Sequence, residues 1–151
     1  MIHSIHRRED KIIMKTIRLQ NDPIECAAAL AATGTVEDGA VLSFTGTPRR
    51  DSAKRPVEHL FYEAYEGMAL KEMDKIADEA LAAWPITDCL IIHRTGRVDP
   101  GQASILIVVS ARHRDEGFAA LRFIIDTVKK TVPIWKKEVY IDGSEWVSDR
   151  V

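Results

Sequence analysis

Two apolar runs rich in β-branched residues, TDCLIIHRTG (87–96) and ASILIVVSA (103–111), stand either side of a VDPG turn, and no other feature restricts the fold as much. Strands joined this closely pair as a hairpin, because a parallel pair needs a crossover of a dozen or more residues. Around them the chain alternates between strand-like and helix-forming segments. IIMKTIRL (12–19) reads as a strand, and a helix is predicted after it, with Asp22 as N-cap, Pro23 at the first helical position and Gly34 as the stop. GAVLSFTG (39–46) reads as a buried strand and TPRRDSAKRP as a basic, proline-bounded loop. VEHLFYEAY (57–65) is again strand-like. From Gly67 to Trp84 a helix is predicted, with Met68, Met73, Ile76, Ala80 and Leu81 as its apolar residues and Pro85 as its end. A second long helix, RDEGFAALRFIIDTVKKTV, stops before Pro133 and leads into the strand-like IWKKEVYI. Hairpin-type pairs mixed with helical crossovers predict an α+β, two-layer sandwich with a mixed, mostly antiparallel sheet.

A length of 151 residues suits one domain with a real core. Residues 14–151 are expected to form it, with 1–13 as a flexible N-terminal extension whose His3 and His6 belong to a solvated arm. The 46% hydrophobic and 29% charged content excludes a disordered chain or a disulfide scaffold. A formal net charge of −2 supplies no global field for nucleic acid or an anionic membrane, so any basic site must be local. No run approaches the ~18 apolar residues of a membrane span. MIHSIHRRED lacks the apolar stretch of a secretory signal, which implies a reducing, cytoplasmic setting. Cys26 and Cys89 lie in apolar CAAALAA and DCLII with no zinc-type spacing, and both are expected as core thiols.

The local basic site is the stretch 112–138, which carries +3 while the rest of the chain carries about −5. On a helix, Phe118, Leu121, Ile125 and Val128 form one apolar stripe; Lys129 falls at its edge and Lys130 points away. A lysine partly desolvated at such a boundary has its charged form disfavoured, which makes the neutral amine available as nucleophile or base. His113 and Arg114 stand at the helix start, where free N–H groups and the positive dipole end favour anions such as phosphate. Arg114 offers a fork for two oxygens, and His113 a proton donor, although a locally packed histidine is about as good a reading. On the following strand Lys136 and Glu138 share one face and Lys137 takes the other. Arg49 opens the basic loop, a common place for a substrate-gripping residue. A non-catalytic alternative uses KKTVPIWKK to bind nucleic acid or an acidic protein, with Trp135 as a stacking platform.

FTGTPR (44–49), YEAYEGMA (62–69), IIHRTGRVDPGQ (91–102), HRDEGF (113–118) and IDTVKKTVPIWKKE (125–138) together resemble the large, catalytic subunit of molybdopterin synthase. The likeness runs in order from about Met14 to Trp146. It implies an α/β hammerhead-like fold and a homodimer within a heterotetramer. Each copy would bind a small ubiquitin-like sulfur-carrier subunit whose C-terminal Gly-Gly thiocarboxylate enters the active site. The implied reaction is sulfur transfer to cyclic pyranopterin monophosphate, forming the dithiolene of molybdopterin; no metal or redox cofactor is required, because sulfur arrives on the partner. Positions matching the family's substrate-binding residues are Thr47, Pro48, Arg49, His113, Arg114, Lys129, Lys136, Lys137 and Glu138, with Lys129 as the catalytic lysine and Lys136 supporting it. Arg112 departs from the small residue usual before the His-Arg pair, and Pro48 stands before Arg49. Fifteen residues of straight helix separate Arg114 from Lys129 by about 22 Å. That distance predicts a site shared between two copies.

Overall fold

Every residue of the strand Ile105–Ala111 is buried, so this segment must lie inside the molecule with both faces covered. The computed structural model describes residues 1–8, 11–52 and 55–148. In chain order the elements are β1 (Ile2–Arg8), β2 (Lys11–Gln20), α1 (Cys26–Ala31), β3 (Ala40–Gly46), β4 (Asp51–Ser52), β5 (Arg55–Ala64), α2 (Glu66–Ala83), β6 (Ile86–Arg94), β7 (Gly96–Val98), β8 (Ile105–Ala111), α3 (Arg114–Thr131), β9 (Ile134–Tyr140) and β10 (Glu145–Ser148). One sheet has the order β1-β2-β6-β8-β3 and the other β10-β9-β5-β4, with β7 paired to β5. Among the described residues only the β2–β6 pairing is parallel. The α+β class with mostly antiparallel strands is therefore as expected, divided between two sheets.

α2 packs on β2 and β6, and α3 on β3 and β8, so both helices cover one face of the first sheet and touch each other. Ile17, Met73, Ile76, Ile91, Ile107, Ile124 and Ile134 are fully buried and join both sheets to both helices. Each such side chain contributes roughly 1.5–3 kcal/mol by leaving water. Lys15 is buried among them and its Nζ lies 2.8 Å from Asp74 and 2.5 Å from Asp78 on α2. Gly96, at φ +78°, turns the chain out of β6 into β7, which leaves the first sheet and joins the second.

Several expectations need correction. The N-terminal residues 2–8 form a strand paired antiparallel with β2, because an exposed edge of the first sheet offers them a ladder. α1 starts at Cys26, later than Pro23; the Gln20 side chain takes the carbonyls of Asp22 and Pro23 at 3.0 and 3.1 Å, which holds them outside the helix. β3 alternates between exposed and half-buried residues, as an edge strand must, and is not uniformly buried. Cys26 is half-buried, whereas Cys89 is buried and its thiol is pushed up to about 12 by desolvation.

α3 is rotated from the predicted stripe. Gly117 faces the sheet so closely that a Cβ there would stand 2.4 Å from Leu42 Cδ1. That contact puts Gly117, Ala120, Ile124, Ile125 and Val128 inward and leaves Phe118 61% exposed. Lys129 is accordingly exposed and not partly desolvated. On α2, Met68 likewise points out, while the other predicted core residues are buried.

Candidate active site

The C-terminal ends of β3 and α3 meet the second sheet around a cavity of about 220 Å³. Its walls include Thr47, Pro48 and Arg49 after β3, Lys129 on the last turn of α3, and Lys136 and Glu138 on β9. Backbone bonds hold the 47–50 segment in place. The N–H of Gly101 donates to the Pro48 carbonyl at 3.0 Å, Ser104 N–H to Gly46 at 2.8 Å, and Val57 N–H to Arg50 at 2.8 Å. The VDPG turn thereby serves as the anchor for Arg49. Lys129 suits its position, since a cation near a helix C-terminus complements the free carbonyls there.

Lys136 and Glu138 share the inward face of β9, with Lys136 Nζ 3.4 Å from Glu138 Oε1. The Tyr140 hydroxyl donates to the other oxygen, Oε2, at 2.7 Å. Burial pushes the Glu138 carboxyl up, but the Tyr140 and Ser52 hydroxyls and Lys136 outweigh it and hold the group below its usual value. Glu138 is therefore an anion in use, pinning Lys136. Arg49, Lys129 and Lys136 face two lining carboxylates, Asp51 and Glu138, which leaves a cationic excess for an anionic ligand.

His113 and Arg114 are elsewhere. His113 is the extended N-cap residue of α3 and Arg114 its first residue, both exposed, at the far end of the helix from Lys129. The His113 side chain makes no capping hydrogen bond. Arg112 borders a separate hollow with Thr35, Glu37 and Asp38, so it does not enlarge the anion grip of the cavity. Lys137 lies on the outward face of β9, 5.7 Å from the Phe61 ring and 3.6 Å from Glu145. The basic residues of KKTVPIWKK thus do not form one continuous stripe.

The cavity also contains residues that the sequence did not single out: Ser52, Tyr62, His93 and Ser104. His93 is wholly buried and makes a tilted edge contact with Tyr62, ring centroids 5.2 Å apart. Its Nδ1 is 2.7 Å from the Arg94 carbonyl oxygen, and its Nε2 has no partner. Desolvation lowers the imidazole to about 4; the bond to Arg94 opposes this and the nearby Lys129 charge adds to it. A histidine directly after the apolar run CLII was the available signal. Arg94 itself is structural, bonded to Asn21, Gln102 and Arg97 around the turn.

The family model described as MoaE protein matches residues 19–131. A molybdopterin synthase catalytic subunit of Pyrococcus abyssi is 47% identical over 119 residues, covering 79% of this chain and 80% of that protein. The crystal structure of molybdopterin synthase from Staphylococcus aureus superposes with a TM-score of 0.81 at 34% identity, covering 86% of this chain and 94% of the other. A complex of subunits 1 and 2 of molybdopterin-converting factor from Helicobacter pylori shares the fold, with a TM-score of 0.72 at 20% identity, covering 85% and 87% of the two chains.

Proposed function

The chain belongs to the MoaE protein family, and from that premise we propose how its cavity carries out sulfur transfer. The protein acts in molybdenum cofactor biosynthesis as a molybdopterin synthase large subunit. It passes sulfur from the thiocarboxylated C-terminus of a small ubiquitin-like subunit to cyclic pyranopterin monophosphate and so builds the dithiolene of molybdopterin. The observation that carries the assignment of residues is the convergence of Thr47, Pro48, Arg49, Lys129, Lys136 and Glu138 on one cavity from three separate segments.

Both reactants are anions. Arg49 holds the substrate phosphate, together with His113 and Arg114 supplied by a second copy of the chain, because the same copy's pair is at the other end of α3. Lys129 and Lys136 stabilise the charge that develops on the reacting carbonyl oxygen, in a site where fixed charges act more strongly than in water. Lys129 also serves as a proton carrier. Glu138 keeps Lys136 oriented through the 3.4 Å ion pair. Two copies and two small subunits make the working assembly, and its setting is the reducing cytoplasm, consistent with two free cysteines.

The deciding assay combines the purified chain with thiocarboxylated small subunit and cyclic pyranopterin monophosphate, and follows the dithiolene product. Folded protein that yields none overturns the reading.

A further inference from the structure

An unpaired acceptor in a buried site is costly, and natural proteins retain few of them. His93, one of the residues lining the cavity, carries one at its buried Nε2. The Arg94 carbonyl can only accept, so the hydrogen shared across their 2.7 Å contact belongs to Nδ1. In a neutral ring the proton on Nδ1 leaves Nε2 with a lone pair. The edge contact with Tyr62 restrains the ring plane. Four other polar groups of the lining cannot play the same part. Arg49, Lys129 and Lys136 only donate. Glu138 is already engaged at both oxygens, by Tyr140 and Lys136.

We propose that His93 is a substrate-binding residue whose Nε2 accepts a hydrogen bond from an N–H of the pyranopterin ring system, giving the cationic cavity its recognition of the heterocycle as distinct from the phosphate. The ligand class is a fused nitrogen heterocycle with an N–H donor on the edge facing β6, joined to an anionic group. This rests on the reading of the cavity as the pyranopterin site. It assigns to His93 a role in holding the ring, and none in moving protons, since a base titrating near 4 holds no proton at neutral pH.

The test uses the assembled wild-type enzyme with ¹⁵N-labelled histidine, titrated with cyclic pyranopterin monophosphate. The unprotonated Nε2 resonance should move upfield as the substrate saturates. His93→Asn keeps a side-chain N–H for the Arg94 carbonyl but loses the acceptor, and should raise KM for the pterin about 10-fold, the size of one hydrogen bond, with a smaller change in kcat. His93→Gln places a carbonyl oxygen near the lost Nε2 and should recover part of that affinity. If wild-type enzyme makes product while Nε2 stays unmoved, this inference fails and the functional reading stands. The same holds if Nε2 is already at a hydrogen-bonded position without substrate, occupied by Lys129. Wild-type enzyme that makes no product overturns the functional reading and this inference with it.

Discussion

Arg114 and Lys129 sit in the first and last turns of α3, fifteen residues apart, and so about 22 Å along its axis. A single pterin phosphate does not span that distance. A preparation in which His113→Ala and Lys129→Ala chains exchange subunits should therefore regain activity, because one site of each mixed dimer keeps an intact set of both groups. Each variant alone should be nearly inactive. Confirmed exchange with no recovery would count against a site built from two copies.

Lys129 and Lys136 should separate activity from stability. Lys129 is exposed, so Lys129→Ala should change unfolding free energy by no more than about 0.5 kcal/mol while turnover falls on the order of 10²–10⁴-fold. Lys136→Ala leaves the buried Glu138 carboxylate short of a partner and should also cost about 1–2 kcal/mol of stability. Denaturant midpoints measured beside product formation check both. Equal stability losses in the two variants would contradict the geometry.

Gly39 stands against the backbone just ahead of the His-Arg pair; a Cβ there would lie 2.5 Å from the Arg112 carbonyl oxygen. A backbone atom cannot swing aside as a side-chain tip does. Gly39→Ala should destabilise by about 1–3 kcal/mol and weaken phosphate binding by displacing His113 and Arg114. A variant with unaltered melting temperature and unaltered KM would show that the junction is slack.

His93 gives stability a defined pH dependence. Its folded value is lowered from 6.5 to about 4, chiefly by desolvation, so between these values the unfolded chain binds the proton that the folded chain refuses. Stability should fall as pH drops through that window, by about 3 kcal/mol once pH is below it. His93→Asn should show a flatter dependence there. The lowered Glu138 carboxyl acts in a more acidic range, losing its contribution as pH falls below 4.5. Urea unfolding from pH 7 to pH 4 distinguishes the two; identical slopes for wild type and variant would rule out His93 as the source.

Lys15 supplies a control outside the cavity. Burial disfavours its charge, but Asp74 and Asp78 outweigh that and raise its affinity for the proton. Its contribution is thus fully present at neutral pH and is lost only as pH rises above 10.5 through the folded value. Lys15→Met should cost about 1–3 kcal/mol at pH 7, tempered by the partly exposed carboxylates, and leave KM unchanged. A shift in KM would mean that the α2 contact reaches the cavity.

Local patterns were enough for much of this molecule. The hairpin-spaced apolar runs identify β6 and β8, prolines close α2 and α3, and alternation along IWKKE puts Lys136 and Glu138 on one face. Such features are legible because strand period, helix stops and turn chemistry depend on near neighbours. The motif likeness led to the same lysines that line the cavity. Other properties depend on which surfaces meet in space. The approach of Gly117 to Leu42 turned Phe118 outward and left Lys129 exposed; two residues far apart in the chain set that rotation, which helical periodicity cannot specify. A sheet edge recruited residues 2–8 as a strand, and folding the second sheet against β6 put His93 beside Tyr62 and left one ring nitrogen buried without a partner. Burial and orphaned hydrogen-bonding groups are properties of packing, and they exist only once the elements have come together.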